Sequence, residues 1–272
     1  MTVVPAGGET RVIRANGHRA HVRLDGPADG PVWVFANALG TDLRVWDPLA
    51  PGLAGKRLVR YDKRGHGLSE LTPGPYEMAG LADDLAAILD ALALKSAVVV
   101  GLSIGGMIAL ALAAPRPDLV RGLVLMDTAP RIGTAPMWQE RIKAVEAGGV
   151  GALAEGTMTR WFPEAFRRDR ADEVALWRTM LERTPAAGYA ACCAAIRDAD
   201  LEAAAAAVAV PTLCVVGEHD GSTPPDVVRG MASAIPGAEF ELIPDAGHLP
   251  QVVRPDDVAR CLARFETERG LS

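Results

Sequence analysis

The chain runs to 272 residues, 49% hydrophobic and 23% charged, the balance of a globular protein with room to bury one large or two small cores. A net charge of −6 argues against nucleic acid or an anionic membrane as the main partner, since both would repel the chain. Its apolar runs at 97–100 and 213–216 are strand-length, well short of the roughly 20 residues of a membrane-spanning helix.

In chain order, strand-like segments fall at Arg11–Ala15, Ala20–Leu24, Val32–Phe35, Leu58–Tyr61, Ala97–Val100, Leu123–Met126, Leu213–Val216 and Glu239–Ile243. Helical patterns fall between the later ones, at Met78–Leu92, Gly105–Ala114, Pro225–Ala234 and Pro255–Glu268. Two strands followed by strand–helix alternation predict an α/β fold with a mostly parallel sheet of eight strands, several of them apolar on both faces. The alternation breaks over 130–205. That stretch is alanine-rich and helix-rich, and it holds Trp138, Trp161, Phe162, Phe166 and Trp177. It predicts a helical cap inserted after the sixth strand, over the sheet edge where open α/β sheets bind ligands. The expected division is a core of 1–129 and 206–272 with a cap of 130–205. Met1-Thr2-Val3-Val4-Pro5 lacks the basic and apolar blocks of a secretory leader, and the cysteines at 192, 193, 214 and 261 lack metal-ligand spacing. A cytoplasmic protein with reduced thiols and no metal is expected.

The strand ending at Val100 runs into Gly101-Leu102-Ser103-Ile104-Gly105-Gly106 and then into a helix. A strand, a sharp turn and a helix with serine at the apex present a nucleophilic hydroxyl at the C-terminal sheet edge, and the flanking glycines fit where a Cβ would not. A serine nucleophile needs a base, and the base needs an orienting acid. Of five histidines, His248 follows the last strand in a loop able to aim at Ser103; His66 could approach but fits a turn-shaping role. Asp220, just after the seventh strand, is the expected acid. Asp127, ending the sixth strand, is the alternative, with Glu218 a less favoured competitor. The order Ser…Asp…His is that of the α/β-hydrolase arrangement. An oxyanion hole should come from the backbone N–H of Ile104 and of Leu39, in the loop Asn37-Ala38-Leu39-Gly40 after the third strand.

Four segments carry a more specific resemblance: Phe35-Ala36-Asn37-Ala38-Leu39-Gly40-Thr41-Asp42 with Trp46-Asp47, Tyr61-Asp62-Lys63-Arg64-Gly65-His66-Gly67-Leu68-Ser69, the serine turn through Met107, and Asp127-Thr128-Ala129-Pro130-Arg131-Ile132-Gly133 with Trp138. Together they resemble the 3-oxoadipate enol-lactonases of the α/β-hydrolase superfamily. The likeness spans most of 31–260 and is weakest in the insertion. Asn37-Ala38 departs from the His-Gly-x-Gly usual in this loop, and Gln251-Val252-Val253-Arg254-Pro255 departs from the Asn-x-Glu-x-Pro often found after the histidine.

The resemblance implies cofactor-free hydrolysis of the enol-lactone of 3-oxoadipate in bacterial aromatic-compound catabolism, the beta-ketoadipate pathway. Ser103 would attack, His248 accept the proton and Asp220 steady the imidazolium. The partner would be a small lactone or ester. Since that substrate carries a free carboxylate, a cation should line the pocket: Arg131 is expected first, with Arg141 and Arg160 behind it, and Asn37 and Trp138 as further contacts. The same triad would serve a generic carboxylesterase, another lactonase or a C–C bond hydrolase, and a ligand sensor without turnover could retain it. A serine at 103 is incompatible with the aspartate nucleophile of dehalogenases and epoxide hydrolases. Nothing in the sequence indicates oligomeric state.

Overall fold

The computed structural model describes residues 8–272, so the Met1–Pro5 segment lies outside the described residues. Eight strands form one sheet: β1 (Glu9–Ala15), β2 (His18–Asp25), β3 (Val32–Ala36), β4 (Arg57–Tyr61), β5 (Ala97–Leu102), β6 (Val120–Met126), β7 (Thr212–Gly217) and β8 (Glu239–Ile243). Their spatial order is β1-β2-β4-β3-β5-β6-β7-β8. The β1–β2 and β2–β4 pairs are antiparallel, and every pair from β4 to β8 is parallel. Asn16-Gly17 closes the first hairpin, both at positive φ as a two-residue hairpin turn demands. The central strands β5 and β7 are buried at every residue, so neither shows alternation. At the edge, the first four residues of β1 are exposed and include Glu9 and Arg11, whose charges discourage pairing with another chain.

Parallel strands put their C-terminal ends, and the loops that follow, along one edge. There β3 delivers residues 37–42, β4 residues 62–69, β5 Ser103, β6 residues 127–134, β7 residues 218–224 and β8 residues 244–249. The chain crosses from β3 to β4 on one side and then to β5 on the other, and the crevice at such a reversal is where α/β sheets bind ligands. Helices α1 (Met78–Ala91) and α2 (Ile104–Ala113) pack on each other, and α2 packs on β3, β5 and β6.

Between β6 and β7 run α3 (Ala135–Gly148), α4 (Ala154–Trp161), α5 (Glu164–Asp169), α6 (Ala171–Glu182), α7 (Ala186–Asp198) and the short α8 (Glu202–Ala206). Thr134 starts α3 by accepting the Met137 N–H, with Pro136 in the first turn, where its missing N–H costs nothing. Helix α3 packs along α7, and α4 against α6. After β7 come α9 (Pro225–Ala234), the single turn α10 (Pro250–Val253) and α11 (Pro255–Arg269). Among the described residues, no helix is long and apolar enough to cross a membrane. All four cysteines are buried and unpaired.

Candidate active site

Ser103 sits at φ +57°, ψ −120°, a conformation that side chains rarely adopt. The surroundings over-determine it: its N–H donates to Met126 O at 2.9 Å, and its carbonyl accepts Thr128 Oγ1 at 2.7 Å. A Cβ on Gly105 would lie 2.0 Å from Ala36 O, and one on Gly101 would lie 2.3 Å from Gly105 O. Both glycines are therefore required sterically, because α2 begins pressed against β3. The serine Oγ has no hydrogen-bond partner among the described residues, so it stays open toward the cavity it lines with His248. Nucleophile–base bonds are commonly long in unliganded sites and tighten in the reacting complex.

His248 and Asp220 are joined by a bond of 2.9 Å from imidazole Nδ1 to carboxylate Oδ2. Asp220 also accepts Thr223 Oγ1 at 2.6 Å and the Ser222 N–H at 2.7 Å. Burial opposes ionisation of Asp220, but the facing His248 and these donors outweigh it and hold the carboxyl below its usual range. Asp127 is the contrast. It is fully buried, accepts only the Gly217 N–H (2.9 Å) among the described residues, and its Oδ2 has no partner. Burial, and then the neighbouring Asp220, push its carboxyl well above the usual range, which favours its neutral form. Glu218 is exposed and accepts the Asp245 N–H, and His219 is exposed beside it.

A cavity of about 250 Å³ opens over Ser103 and His248. Leu39, Ile132, Met137, Trp138, Trp161 and Tyr189 supply apolar wall, and Thr157, Ser222, Arg141 and Arg160 supply polar groups. Among the described residues no carboxylate lines it; Asp220 lies behind the imidazole. Arg141 lies over the Trp138 ring, 5.4 Å from its centroid, and Trp138 Nε1 donates to Ile132 O at 2.6 Å. Arg160 donates to Thr157 Oγ1 at 3.1 Å, and neither arginine has an ion pair among the described residues. Burial and then the Arg141 charge lower the Arg160 pKa, the signature of two cations facing one space. The His248 N–H meets Arg160 O at 3.4 Å, and a Cβ on Gly247 would lie 2.5 Å from Trp161 O. Helix α4 therefore packs directly on the histidine loop.

The structure thus brings together Ser103, His248, Asp220, Leu39, Ile104 and Trp138. Two expected substrate contacts do not join them. Arg131 is exposed and turned to Asp200 and Glu202 beside α8, although its neighbours Ile132 and Gly133 line the cavity: the segment reaches the site, but this side chain points outward to the two acids. Asn37 is buried beneath the oxyanion loop, its Nδ2 donating to Thr41 O. The cationic lining comes instead from Arg141 and Arg160, and their places on α3 and α4 were the available signal. Thr157, Tyr189 and Ser222 went unmarked in the sequence. A larger cavity, about 360 Å³, lies elsewhere, lined by the His21–Asp62 pair, Arg44 and Arg183. Its Thr184 hydroxyl is tied to backbone carbonyls, so it offers no free nucleophile. Among the described residues, metal-like groupings are Asp127/Asp220/His248, where the imidazole Nδ1 is already bonded to Asp220, and the exposed Glu218/His219/Asp245.

Residues 31–255 match the family model for the alpha/beta hydrolase fold, and the chain belongs to that family. It is a hydrolase of the ester or lactone type. The chain is 34% identical to 3-oxoadipate enol-lactonase 1 of Acinetobacter baylyi, over 93% of this chain and 95% of the relative. It superposes on the crystal structure of the enol-lactonase from Burkholderia xenovorans LB400 with a TM-score of 0.92, at 36% identity, covering 94% of this chain and 100% of that one. A thermophilic esterase from Thermogutta terrifontis, solved with malate bound, is 29% identical with a TM-score of 0.87, over 97% and 99% of the two chains.

Proposed function

We propose that this hydrolase opens the enol-lactone of 3-oxoadipate in bacterial aromatic-compound catabolism, by nucleophilic catalysis from Ser103. The observation that carries the substrate reading is the cavity over Ser103, which among the described residues has two arginines free of ion pairs, apolar walls and no lining carboxylate. That lining suits a small, mostly apolar ring bearing one carboxylate, which Arg141 and Arg160 would hold with charge-assisted bonds. The named relatives point the same way, and the malate-bound esterase adds a fold neighbour that takes a carboxylate-bearing ligand.

Ser103 Oγ attacks the lactone carbonyl carbon while its proton passes to His248, and Asp220 stabilises the imidazolium. The negative charge on the carbonyl oxygen meets the N–H groups of Leu39 and Ile104. Collapse breaks the ring C–O bond, and the leaving enol oxygen takes the proton from His248 while staying tethered to the acyl group. Water then gives its proton to His248 and attacks the ester carbon, releasing Ser103 and a second carboxylate; the enol becomes the ketone. In this reading residues 130–205 are the cap that supplies recognition, and the sheet core supplies the chemistry.

The test is turnover of the enol-lactone by the purified chain, with Ser103→Ala and His248→Ala alongside. Each substitution should lower kcat by several orders of magnitude, and the double variant should lose little more, because the two side chains act as one unit. Near-native turnover in Ser103→Ala would refute serine catalysis.

A further inference from the structure

The oxyanion loop is fixed by two buried side chains from the turn after β4. Lys63 is 2% exposed, and its ammonium meets backbone instead of a carboxylate: Nζ donates to Ala38 O at 2.5 Å and to Thr41 O at 3.3 Å. Ala38 O also accepts the Thr41 N–H at 3.2 Å and Thr41 Oγ1 at 2.9 Å. Because a trans peptide is planar, its C=O and the following N–H point in opposite directions. Donors gathered on Ala38 O therefore turn the Leu39 N–H the other way, and Leu39 lines the cavity with Ser103. The next peptide is held too, since the Gly40 N–H donates to His66 Nε2 at 3.1 Å. That bond needs a neutral imidazole, and burial, followed by the Lys63 charge, keeps His66 well below its usual pKa.

We propose that Lys63 is a positioning residue for the hydrolytic reaction: its ammonium on Ala38 O orients and polarises the Ala38–Leu39 peptide, so that the Leu39 N–H meets the substrate oxygen as its negative charge develops. The inference rests on the serine-hydrolase reading above. A cation on the carbonyl draws charge along the peptide and strengthens the N–H as a donor. The gain is largest when the acceptor is an oxyanion, so it belongs to the transition state and not to ground-state binding.

A purely structural role fits the surroundings poorly. Without Lys63, Ala38 O keeps both Thr41 donors and Thr41 O keeps Asn37 Nδ2, so no carbonyl is orphaned. Burial moves Lys63 down from 10.5 to about 8, against smaller upward pulls from Cys192 on α7, Asp62 and Asp42, with His66 facing it as well. The folded state thus holds this proton less tightly than the unfolded chain. Its contribution is a destabilisation, fully present below about pH 8 and relieved between there and 10.5, the window in which the unfolded chain binds more protons. Removing the charge at pH 7 should leave stability equal or higher.

Lys63→Met is the test, with Lys63→Gln beside it should the methionine variant fold poorly. A neutral nitrophenyl ester reads the serine machinery whatever the natural substrate, and a phenylboronic acid, which forms a tetrahedral adduct on the serine, reports the oxyanion site without turnover. The expected result is a loss in kcat on the order of 10- to 100-fold, below the roughly 10²–10³ seen when an oxyanion donor is removed outright. KM should hold within about twofold, boronate affinity should fall with kcat, and Tm at pH 7 should be unchanged or higher. Native-like kcat and boronate affinity would overturn the proposal, as would a lowered Tm with boronate affinity intact. Ester turnover surviving in Ser103→Ala would instead sink the serine reading, and the proposal with it.

Discussion

Asp127 and Asp220 bring two carboxyls to one imidazole, and their surroundings push their pKa values in opposite directions. Asp220 has three donors, one of them His248; Asp127 has a single backbone N–H and complete burial. Two carboxylates this close to each other would repel, and the one with more hydrogen-bond donors is favoured to keep the charge. Asparagine is nearly isosteric with a protonated aspartate, so Asp127→Asn should leave most activity in place. Asp220→Asn should cost roughly 10⁴-fold in kcat, as loss of the acid does in serine proteases. Steady-state kinetics on a nitrophenyl ester would separate them, and reversed results would put the working acid after β6. Both aspartates were visible as candidates in the sequence, because each follows an apolar strand. Their protonation was not visible, since it depends on Thr223 and Ser222 reaching one carboxyl and not the other. Lys63 was equally hidden: it lay inside a recognised motif, but its contact with Ala38 O exists only once β3 and β4 pair.

At the scale of elements, the proposed recognition of substrate rests on α3 and α4. Trp138 and Arg141 are three apart on α3, as are Thr157 and Arg160 on α4, with Trp161 next along; residues three or four apart share a helix face. Those faces close the cavity. A strand-end position had favoured Arg131, yet proximity to the sheet edge does not set the direction of a side chain, and Arg131 turns outward to acids near α8. In the sequence Arg141 and Arg160 ranked behind Arg131, because nothing in it tells which face of an insertion helix meets the cavity. Arg160→Met should lower kcat/KM for the carboxylated lactone about 10- to 100-fold, the equivalent of about 1.5–3 kcal/mol for a charge-assisted contact, with Arg141→Met acting in the same direction. Arg131→Met, which breaks an exposed ion pair, should change it by less than about twofold. Progress curves on the lactone and on a neutral ester would decide the matter. Equal losses on both substrates would make Arg160 a structural residue of α4.

Across the whole molecule, the sheet was the most legible part of the sequence. All eight strands fall within a few residues of the predicted segments: β5 and β7, covered on both faces, are written as nearly continuous apolar runs, while β1, β2 and β8 mix apolar with charged residues. The strand–turn–helix at Ser103 was legible for a local reason, the crowding that only Gly101 and Gly105 tolerate. The packing of residues 130–205 was not legible, since it depends on long-range contacts such as Gly247 against Trp161 and the His248 N–H on Arg160 O. Those contacts link the helices bearing the arginines to the loop bearing the proposed base, so the proposed recognition and the proposed chemistry share one cavity. The most direct test is the ratio of kcat/KM for 3-oxoadipate enol-lactone over its methyl ester, both followed as ring opening. With two arginines and, among the described residues, no carboxylate lining the cavity, the free acid should be preferred by about tenfold or more, the effect of one charge-assisted contact. Equal or faster ring opening of the methyl ester would contradict the account.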